Sequence, residues 1–338
     1  MRIALDLFGG DNAPKAIIDG AKLAVEKSKS NGDSSLKITL FGDHTRLQNL
    51  HLESDLPEDI DVLETPAFEI RNPNDPYSEA EQSDSPIRIA LRKHNEGDFD
   101  GVVSAGSTGV QVIASIAELG RCVGITRPAV AAKIPTASGF CLILDVGASL
   151  NVTPHQMVQF AAMGTVYMKE LLGKENLRIG VLNVSDEMGI GSKNATEAYQ
   201  LLSASGFQDV SLVEGRDLVS GSVDIVLVNG FTGNILLKYI EELPKLLEKL
   251  FSKDLLREKI SQFDYQLFGG EPLLGVRGVS IICHGASSEI AINAGIQKAV
   301  EIAKVKLDDA IEQFLSDKFH SYISKVRYLR SFRRSLKS

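Results

Sequence analysis

Cysteine is scarce in this sequence, and long apolar runs are absent from it. The three cysteines among 338 residues (Cys122, Cys141 and Cys283) lie far apart, which favours a reducing compartment over a disulfide framework. No apolar run approaches the ~20 residues of a membrane-spanning helix. The first residues lack the apolar core of a signal peptide. We therefore expect a cytoplasmic protein that is not embedded in a membrane and folds without disulfide bonds.

Several motifs of common enzyme classes are also missing. The chain has no G-x-G-x-x-G dinucleotide fingerprint after a strand, no nucleotide-binding P-loop and no Cys/His cluster with zinc-ligand spacing. A G-x-S-x-G nucleophile elbow is absent too. Cys283 precedes His284, but neighbouring residues on a strand point to opposite faces, so this pair is weak evidence for a thiol nucleophile.

Charge is distributed unevenly along the chain. The formal net charge is −8, from 36 basic and 44 acidic residues, which argues against a general nucleic-acid-binding protein. Residues 318–338 nevertheless contain seven of those bases and no acid. An acidic body followed by a basic tail suggests that the tail has a partner of its own.

Short runs rich in β-branched residues alternate with helical segments. Strands are predicted at Arg2–Asp6, Lys37–Phe41, Gly101–Ser104, Phe140–Val146, Arg178–Val184, Val210–Val213, Val223–Val228 and Val279–Cys283. Several of these runs are apolar on both faces, as central strands are when helices cover both sides of a sheet. The alternation predicts a doubly wound, mostly parallel α/β sheet, in which ligands bind beyond the carboxyl ends of the strands.

Five predicted strands run into segments in which glycine accompanies Ser, Thr, Asn, Asp or His. These segments begin at Phe8, Ala105, Gly147, Asn229 and His284. Glycine lets the backbone approach a ligand, and amides at helix N-termini favour anions. Tight turns and helix caps can explain any single segment. Five of them in one chain favour an anion or phosphate site.

These segments, in this order, resemble the PlsX family of acyl-acyl carrier protein:phosphate acyltransferases. The likeness covers residue 1 to about 305. It rests on Asp6–Pro14, Ser104–Gly109, Arg127–Ala129, Leu144–Ala148, Gln159–Gly164, Val213–Asp217, Gly230–Asn234, Gly269–Gly275 and His284–Ser287.

The resemblance implies a three-layer α/β/α sandwich like that of isocitrate and isopropylmalate dehydrogenases and of phosphate acetyltransferase. It implies a homodimer with no metal and no nucleotide cofactor. The implied reaction moves a long-chain fatty acyl group from acyl carrier protein to inorganic phosphate, giving acyl phosphate for phospholipid synthesis. Two alternatives stay open: a catalytically silent homologue that binds acyl carrier protein or lipid, and a phosphate acyltransferase that uses acyl-CoA.

The chain departs from the family pattern at positions near the expected site. Asn229 stands where the family usually has Asp, and Ser107 stands where it usually has Asn. Ile190 occupies a position at which the family carries lysine, which Lys193 would supply if the loop is shifted. Because an amide at residue 229 removes one negative charge from an anion site, the loss of both charges is interpreted as a compensated exchange.

The implied reaction needs an anion that is held and oriented rather than a strong base, because phosphate is already anionic and a thiol leaves readily. On this resemblance we predict His284, Asn229 and Lys193 as catalytic residues. The residues predicted to bind phosphate or substrate are Asp6, Gly9, Gly10, Asp11, Ser104, Ser107, Thr108, Gly109, Arg127, Gly147, Gly230 and Asn234. The alternative for Arg127 is a surface or dimer ion pair, and that for His284 is a helix cap.

Residues 1–317 are expected to form one α/β domain with a helical hairpin protruding at about 239–268. The hairpin has apolar residues at helical spacing, among them Leu250, Phe251 and Leu255. The family links this region to contact with the inner face of the membrane, and a hairpin that packs a dimer is the alternative.

The segment 318–338 is predicted to be a basic amphipathic tail. Arg330, Arg333 and Arg334 lie between apolar residues at helical spacing. This pattern fits a helix at a membrane surface, and an acidic acyl carrier protein is the other partner by charge. A terminal helix packed on the body is the third interpretation.

Overall fold

The computed structural model describes residues 1–32, 35–43, 46, 56–66, 78–250 and 269–318. The predicted contacts of Phe251, Leu255, Arg330, Arg333 and Arg334 lie outside these residues, as does the side chain of Leu250. The chain divides into two compact units. Unit 1 contains Met1–Arg121 and Ser252–Lys306, and unit 2 contains Cys122–Phe251 and Leu307–Ser338.

Strands and helices alternate along the described part of the chain. The strands are β1 (Arg2–Asp6), β2 (Lys37–Gly42), β3 (Ile60–Glu64), β4 (Gly101–Ser104), β5 (Ala129–Thr136), β6 (Gly139–Leu144), β7 (Arg178–Leu182), β8 (Asp209–Val213), β9 (Ile225–Leu227), β10 (Glu271–Leu274) and β11 (Ser280–Ile282). The helices are α1 (Lys15–Ser30), α2 (Ser78–Glu81), α3 (Pro86–Asn95), α4 (Thr108–Glu118), α5 (Pro154–Leu172), α6 (Lys193–Ala204), α7 (Asp217–Ser220), α8 (Gly230–Leu250), α9 (Glu289–Val305) and α10 at 307–318.

Unit 1 is built on a sheet with the strand order β3-β2-β1-β4-β11-β10. Neighbouring strands run parallel except for β10, which is antiparallel to β11. All four residues of β4 and the last four of β1 are buried, as expected for central strands covered on both faces. The carboxyl ends of β1, β4 and β11 therefore lie side by side.

Unit 2 has a sheet with the strand order β5-β6-β9-β7-β8. Only the β5–β6 pair is antiparallel among the pairings described here. Helix α5 begins with a capping box formed by Thr153 and Gln156, and its Gly164 lets it approach the sheet, because a Cβ there would lie 2.9 Å from Leu144 Cδ1. The start of β5 and the carboxyl ends of β6, β9 and β7 share one edge.

The fold class is the one that the sequence predicts: a three-layer α/β/α sandwich with mostly parallel strands. The eight predicted strands are all present, and β1 and β4 have the predicted bounds. Three strands were missed, namely β3, β5 and β10. Strands β5 and β10 each contain a proline, and β3 lies at the edge of its sheet with a mixed burial pattern, so none of them gives a continuous apolar run.

The first part of the predicted hairpin, at about 239–250, lies in helix α8. Helix α8 starts at Gly230, directly after β9, and continues past Pro244 to Leu250. The part of the predicted hairpin from 251 to 268 lies outside the described residues. None of the helices in the described ranges combines the length and the apolar character needed to cross a membrane.

Candidate active site

In unit 1, the segments that follow β1 and β11 are joined by hydrogen bonds. The backbone amide of Asp11 donates to the carbonyl of Gly285 at 2.7 Å. The side-chain amide of Asn12 donates to the carbonyls of Ala286 and Ser287 at 3.1 and 3.2 Å. These bonds hold two of the predicted glycine-rich segments together at the carboxyl edge of the sheet.

A buried carboxylate lies beneath the first of these segments. The hydroxyl of Ser104 donates to Asp6 Oδ2 at 2.7 Å and accepts from the amide of Gly106 at 3.0 Å. Gly9 is packed so closely on this pair that a Cβ would collide with Asp6 Oδ2. Burial raises the pKa of Asp6 above its ordinary value, although the Ser104 hydroxyl and backbone amides oppose the shift. Asp6, Ser104 and Gly9 therefore shape the loop from below.

The N-terminus of α4 faces the same edge. Ser107, its N-cap residue, is exposed, and its side chain makes no capping hydrogen bond. The amides of Thr108 and Gly109 lie in the first turn, where helical N–H groups have no acceptor within the helix and attract anions. Gly10 has φ 102° and its Cβ position lies 2.9 Å from the carbonyl of Gly285, so only glycine fits there.

His284 follows β11 and is half-buried. Its Nδ1 accepts the backbone N–H of Ala286 at 3.0 Å, which places the proton of the neutral ring on Nε2. The helix-cap alternative belongs to another residue, because the N-cap of α9 is Ser288, whose hydroxyl accepts the N–H of Ala291. His284 thus provides an oriented N–H donor at the edge of unit 1.

The neighbouring cysteine is unsuited to nucleophilic chemistry. Burial raises the pKa of the Cys283 thiol to about 12, with Glu271 adding to the shift. The thiolate, not the thiol, is the reactive form. Cys283 therefore stays protonated near neutral pH and behaves as a core residue.

In unit 2, Asp145 organises the segment that follows β6. This residue is 0% exposed and its carboxylate accepts four backbone N–H groups. The donors are Val130 (3.0 Å), Gly147 (3.0 Å) and Ala148 (2.9 Å) to Oδ1, and Ser149 (2.7 Å) to Oδ2. Burial raises the pKa of Asp145 above its ordinary value, while these four amides favour the ionised form. The Gly147 amide is thus engaged within the loop.

The N-terminus of α8 rests on Asp145. Asn229 caps the helix, because its Oδ1 accepts the N–H of Thr232 at 2.8 Å, and the amide of Gly230 donates to the carbonyl of Ser149 at 2.8 Å. A Cβ on Gly230 would lie 2.7 Å from Asp145 Oδ2. A Cβ on Gly233 would collide with the Asp145 carbonyl.

Asn234, also predicted as a binding residue, lies exposed near the start of α8. The predicted residues Asn229, Gly230 and Asn234 thus lie at one helix start.

The loop after β7 is held by a single buried amide. Asn183 Nδ2 donates to the carbonyls of Ser185 and Ile190 at 2.9 and 2.7 Å, and its Oδ1 accepts the N–H of Ser192 at 2.9 Å. Lys193 is exposed and is the first residue of α6. The loop therefore has a fixed path that places Lys193 at the carboxyl edge of unit 2.

Arg127 reaches the same edge from the start of β5. Its loop is anchored by Gln159, whose Oε1 accepts the amide and hydroxyl of Thr126 at 3.0 and 2.8 Å and whose Nε2 donates to the Gly124 carbonyl at 2.9 Å. Arg127 is exposed, and no carboxylate of the described residues pairs with it. An ion pair within the described chain therefore does not account for it.

The predicted residues fall into two groups, one in each unit. Unit 1 carries Asp6, Gly9, Gly10, Asp11, Ser104, Ser107, Thr108, Gly109 and His284, and unit 2 carries Arg127, Gly147, Lys193, Asn229, Gly230 and Asn234. The first group supplies helix amides, a threonine hydroxyl and a histidine N–H. The second supplies two cations and the side-chain amides of two asparagines. Within the described ranges, no three His, Cys, Asp or Glu side chains are grouped as metal ligands would be.

Asp145 and Asn183 are functional candidates that the prediction from sequence did not include among the site residues. Their partners are mostly backbone groups, which leave no mark in a sequence. One signal was available for Asp145. An acid directly after a strand that is apolar on both faces is expected to be buried, and a buried carboxylate needs hydrogen-bond donors from the protein.

The fold is shared with solved acyltransferases. A phosphotransacetylase from Streptococcus pyogenes matches with a TM-score of 0.60 and 15% identity, covering 92% of this chain and 94% of that chain. A branched-chain phosphotransacylase from Enterococcus faecalis matches with a TM-score of 0.57 and 12% identity, covering 90% and 99%. At these identities the likeness shows the fold alone.

Sequence relatives are much closer. A protein of Geotalea daltonii named phosphate acyltransferase is 34% identical over 349 residues, covering 98% of this chain and 99% of the relative. One of the same name from Moorella thermoacetica is 36% identical over 336 residues, covering 92% and 95%. The model of a family described as fatty acid synthesis protein matches residues 1–308. The chain therefore belongs to this fatty acid synthesis protein family.

Proposed function

We propose that the protein transfers a long-chain fatty acyl group from acyl carrier protein to inorganic phosphate and releases acyl phosphate. The observation that carries the proposal is the group of hydrogen-bond donors at the edge of unit 1, of the kind that binds anions. There the first turn of α4, Thr108 and the Nε2–H of His284 follow adjacent strands. Relatives named phosphate acyltransferase, similar over nearly the whole chain, support phosphate as the acceptor.

The reaction requires the protein to position phosphate and thioester and to stabilise negative charge. An oxygen of hydrogen phosphate attacks the thioester carbonyl, the new C–O bond forms, and the C–S bond breaks. The proton of the phosphate ends on the departing thiol, so no external base is consumed. Catalysis then rests on orienting the anion and on hydrogen bonds to the oxyanion that develops on the carbonyl oxygen.

The unit 1 groups fit the holding of phosphate. Amides in the first turn of α4 and the Thr108 hydroxyl donate to its oxygens, because helix N-termini favour anions. The His284 ring is oriented by Ala286 so that Nε2–H is its donor, and it serves phosphate or the oxyanion. The close approach of Gly10 to Gly285 keeps the loop free of side-chain bulk.

The unit 2 groups fit charge neutralisation. Arg127 and Lys193 are the candidate cations, and each is exposed at the carboxyl edge. The side-chain oxygen of Asn229 accepts the capping hydrogen bond from Thr232. Its NH₂ group is therefore the part that can donate to a substrate.

Asn229 also offers a direct test of charge balance. An aspartate would cap α8 equally well, so Asn229→Asp should leave stability unchanged while adding a negative charge. We expect activity to fall in Asn229→Asp and to recover when Ile190→Lys is added. Independent effects of the two substitutions would show that the positions are not coupled.

Partners follow from the same proposal. Acyl carrier protein is the proposed donor, and a homodimer with a peripheral membrane contact is the proposed assembly. The basic segment 318–338 is the proposed contact for acidic acyl carrier protein or for anionic lipid.

The test compares donors with and without phosphate. Long-chain acyl-acyl carrier protein and long-chain acyl-CoA are each incubated with the protein, and thiol release is followed. The proposal expects phosphate-dependent release from acyl-acyl carrier protein at a higher kcat/KM than from acyl-CoA. Release from acyl-CoA alone would assign the protein to acyl-CoA-using transferases, and binding of acyl carrier protein without any release would identify a silent homologue.

A further inference from the structure

Apolar side chains are exposed around the carboxyl edge of unit 2. Leu150 is 66% exposed, Val184 76%, Met188 54%, Ile190 48% and Phe231 60%. These five residues are called the apolar rim below. Singly scattered apolar residues are ordinary on a protein surface, but several large ones in one region indicate a binding site.

The five residues follow the carboxyl ends of three adjacent strands. Leu150 follows β6, Phe231 follows β9, and the other three follow β7, while β9 lies between β6 and β7. The Gly230 amide donates to the Ser149 carbonyl at 2.8 Å, which brings the residues before Leu150 and Phe231 together. Asn194 Nδ2 donates to the carbonyl of Val152 at 3.3 Å and joins the third segment to the first.

The loop that carries Val184, Met188 and Ile190 has its path fixed by hydrogen bonds to Asn183. The Asn183 amide binds the Ile190 carbonyl at 2.7 Å, and Gly191 has φ 93°, which a side chain would strain. The nearby carboxylate of Asp186 is directed to Arg216 at 3.8 Å, although Glu187 remains exposed in the same loop. Along this backbone path, Val184, Met188 and Ile190 are exposed.

The rim extends along α8. Phe231, Ile235 and Tyr239 recur every four residues, and the latter two are 53% and 65% exposed. Residues four apart share a helix face, so these three form a track about 12 Å long. That length exceeds an acetyl group and suits a long alkyl chain.

We infer that the apolar rim and this track bind the alkyl chain of the acyl group and set the preference for chain length. The inference rests on the proposed function and adds the position of the chain. The occupant is argued from position, because the rim shares the carboxyl edge of unit 2 with Asn229 and Lys193, the groups proposed to act on the acyl donor. A long-chain acyl thioester needs polar groups near its carbonyl, where an oxyanion develops, and an apolar surface for its alkyl chain. Ile190, at the position where the family carries lysine, adds an apolar side chain to the rim.

The test measures kcat/KM for acetyl, octanoyl and palmitoyl thioesters in wild type and in Ile190→Ser and Ile235→Ser. Each variant removes apolar contact from the chain, so we expect the palmitoyl-to-acetyl ratio to fall about tenfold. Val219→Ser is the matched control, because Val219 is 59% exposed on α7 of the same unit, and its ratio should not change. Equal losses for all three donors, or the same fall in the control, would overturn the inference.

Two further measurements separate the inference from its rivals. If the variants dissociate a dimer in light scattering while the ratio is unchanged, the face belongs to a second copy of the chain. If no donor of any length is turned over, the proposed function fails. Calorimetric binding of octanoate then still tests the rim, which requires weaker binding in Ile235→Ser than in Val219→Ser.

Discussion

Replacing Asp145 with asparagine tests the organisation of the unit 2 edge. The carboxylate is fully buried and accepts four backbone N–H groups between 2.7 and 3.0 Å. An asparagine oxygen in the place of Oδ1 keeps three of these bonds, but its NH₂ group then faces the N–H of Ser149. One bond becomes a donor–donor contact, and the other three lose the charge of the acceptor.

The expected cost follows from these bonds. Hydrogen bonds to charged groups contribute about 1.5–3 kcal/mol, and a buried unsatisfied donor costs about 1–3 kcal/mol. We expect Asp145→Asn to reduce the free energy of unfolding by about 2–3 kcal/mol. Asp145→Ala leaves all four donors without their acceptor and should cost about 4 kcal/mol or more.

Amide hydrogen exchange gives the local measurement, since two compact units need not unfold in one step. The amides of Val130, Gly147, Ala148 and Ser149 should lose protection in Asp145→Asn, whereas amides of β1 in unit 1 should not. Asp186→Asn is the matched control, because Asp186 is 58% exposed and its ion pair is at the surface, where such pairs contribute about 0–1 kcal/mol. Unchanged protection of the four amides in Asp145→Asn would refute the role given to this carboxylate.

The other predictions concern phosphate, packing and pH. Thr108→Val and His284→Ala should raise the KM for phosphate without changing the unfolding midpoint, and an unchanged phosphate dependence would remove both residues from the anion site. Gly233→Ala should destabilise unit 2 and lower activity, because its Cβ collides with the Asp145 carbonyl. Gly215→Ala is the control, because its Cβ meets nothing within 4 Å, and its midpoint of urea unfolding should not change. Burial opposes ionisation of Asp224, but hydrogen bonds from basic neighbours outweigh it and hold its pKa below the ordinary value. Its ionised form therefore stabilises the fold above about pH 4. The stability difference between wild type and Asp224→Asn should shrink as the pH falls below that value, and a difference independent of pH would contradict the assignment.

The fold could be predicted where local pattern and burial agree. Strands β1 and β4 have the predicted bounds because they are buried on both faces and end at a glycine-rich turn. Strand β5 was missed because Lys133 and Pro135 interrupt its apolar run. The division into two units has no signal in the sequence. The chain leaves unit 1 after Arg121 and re-enters it at Ser252, and neither point has the composition of a linker.

The candidate site divides in the same way. The glycine-rich strand ends are visible in sequence, and the adjacency of β1, β4 and β11 brings three of them together. The sequence did not reveal that Asp6 accepts the Ser104 hydroxyl. The position of Asp145 after an apolar strand signals burial, but its backbone partners are brought together only by the folded chain. The capping role of Asn229 has a local signal, since Asn is a favoured N-cap residue before a helix.

The most direct test of the account identifies what accepts the acyl group. The protein is incubated with palmitoyl-acyl carrier protein and isotope-labelled phosphate, and the products are resolved by mass spectrometry. The account predicts palmitoyl phosphate that retains the labelled oxygens, formed in proportion to the thiol released. Free palmitate without labelled acyl phosphate, in a time course too short for hydrolysis, would show that water is the acceptor and would contradict the account.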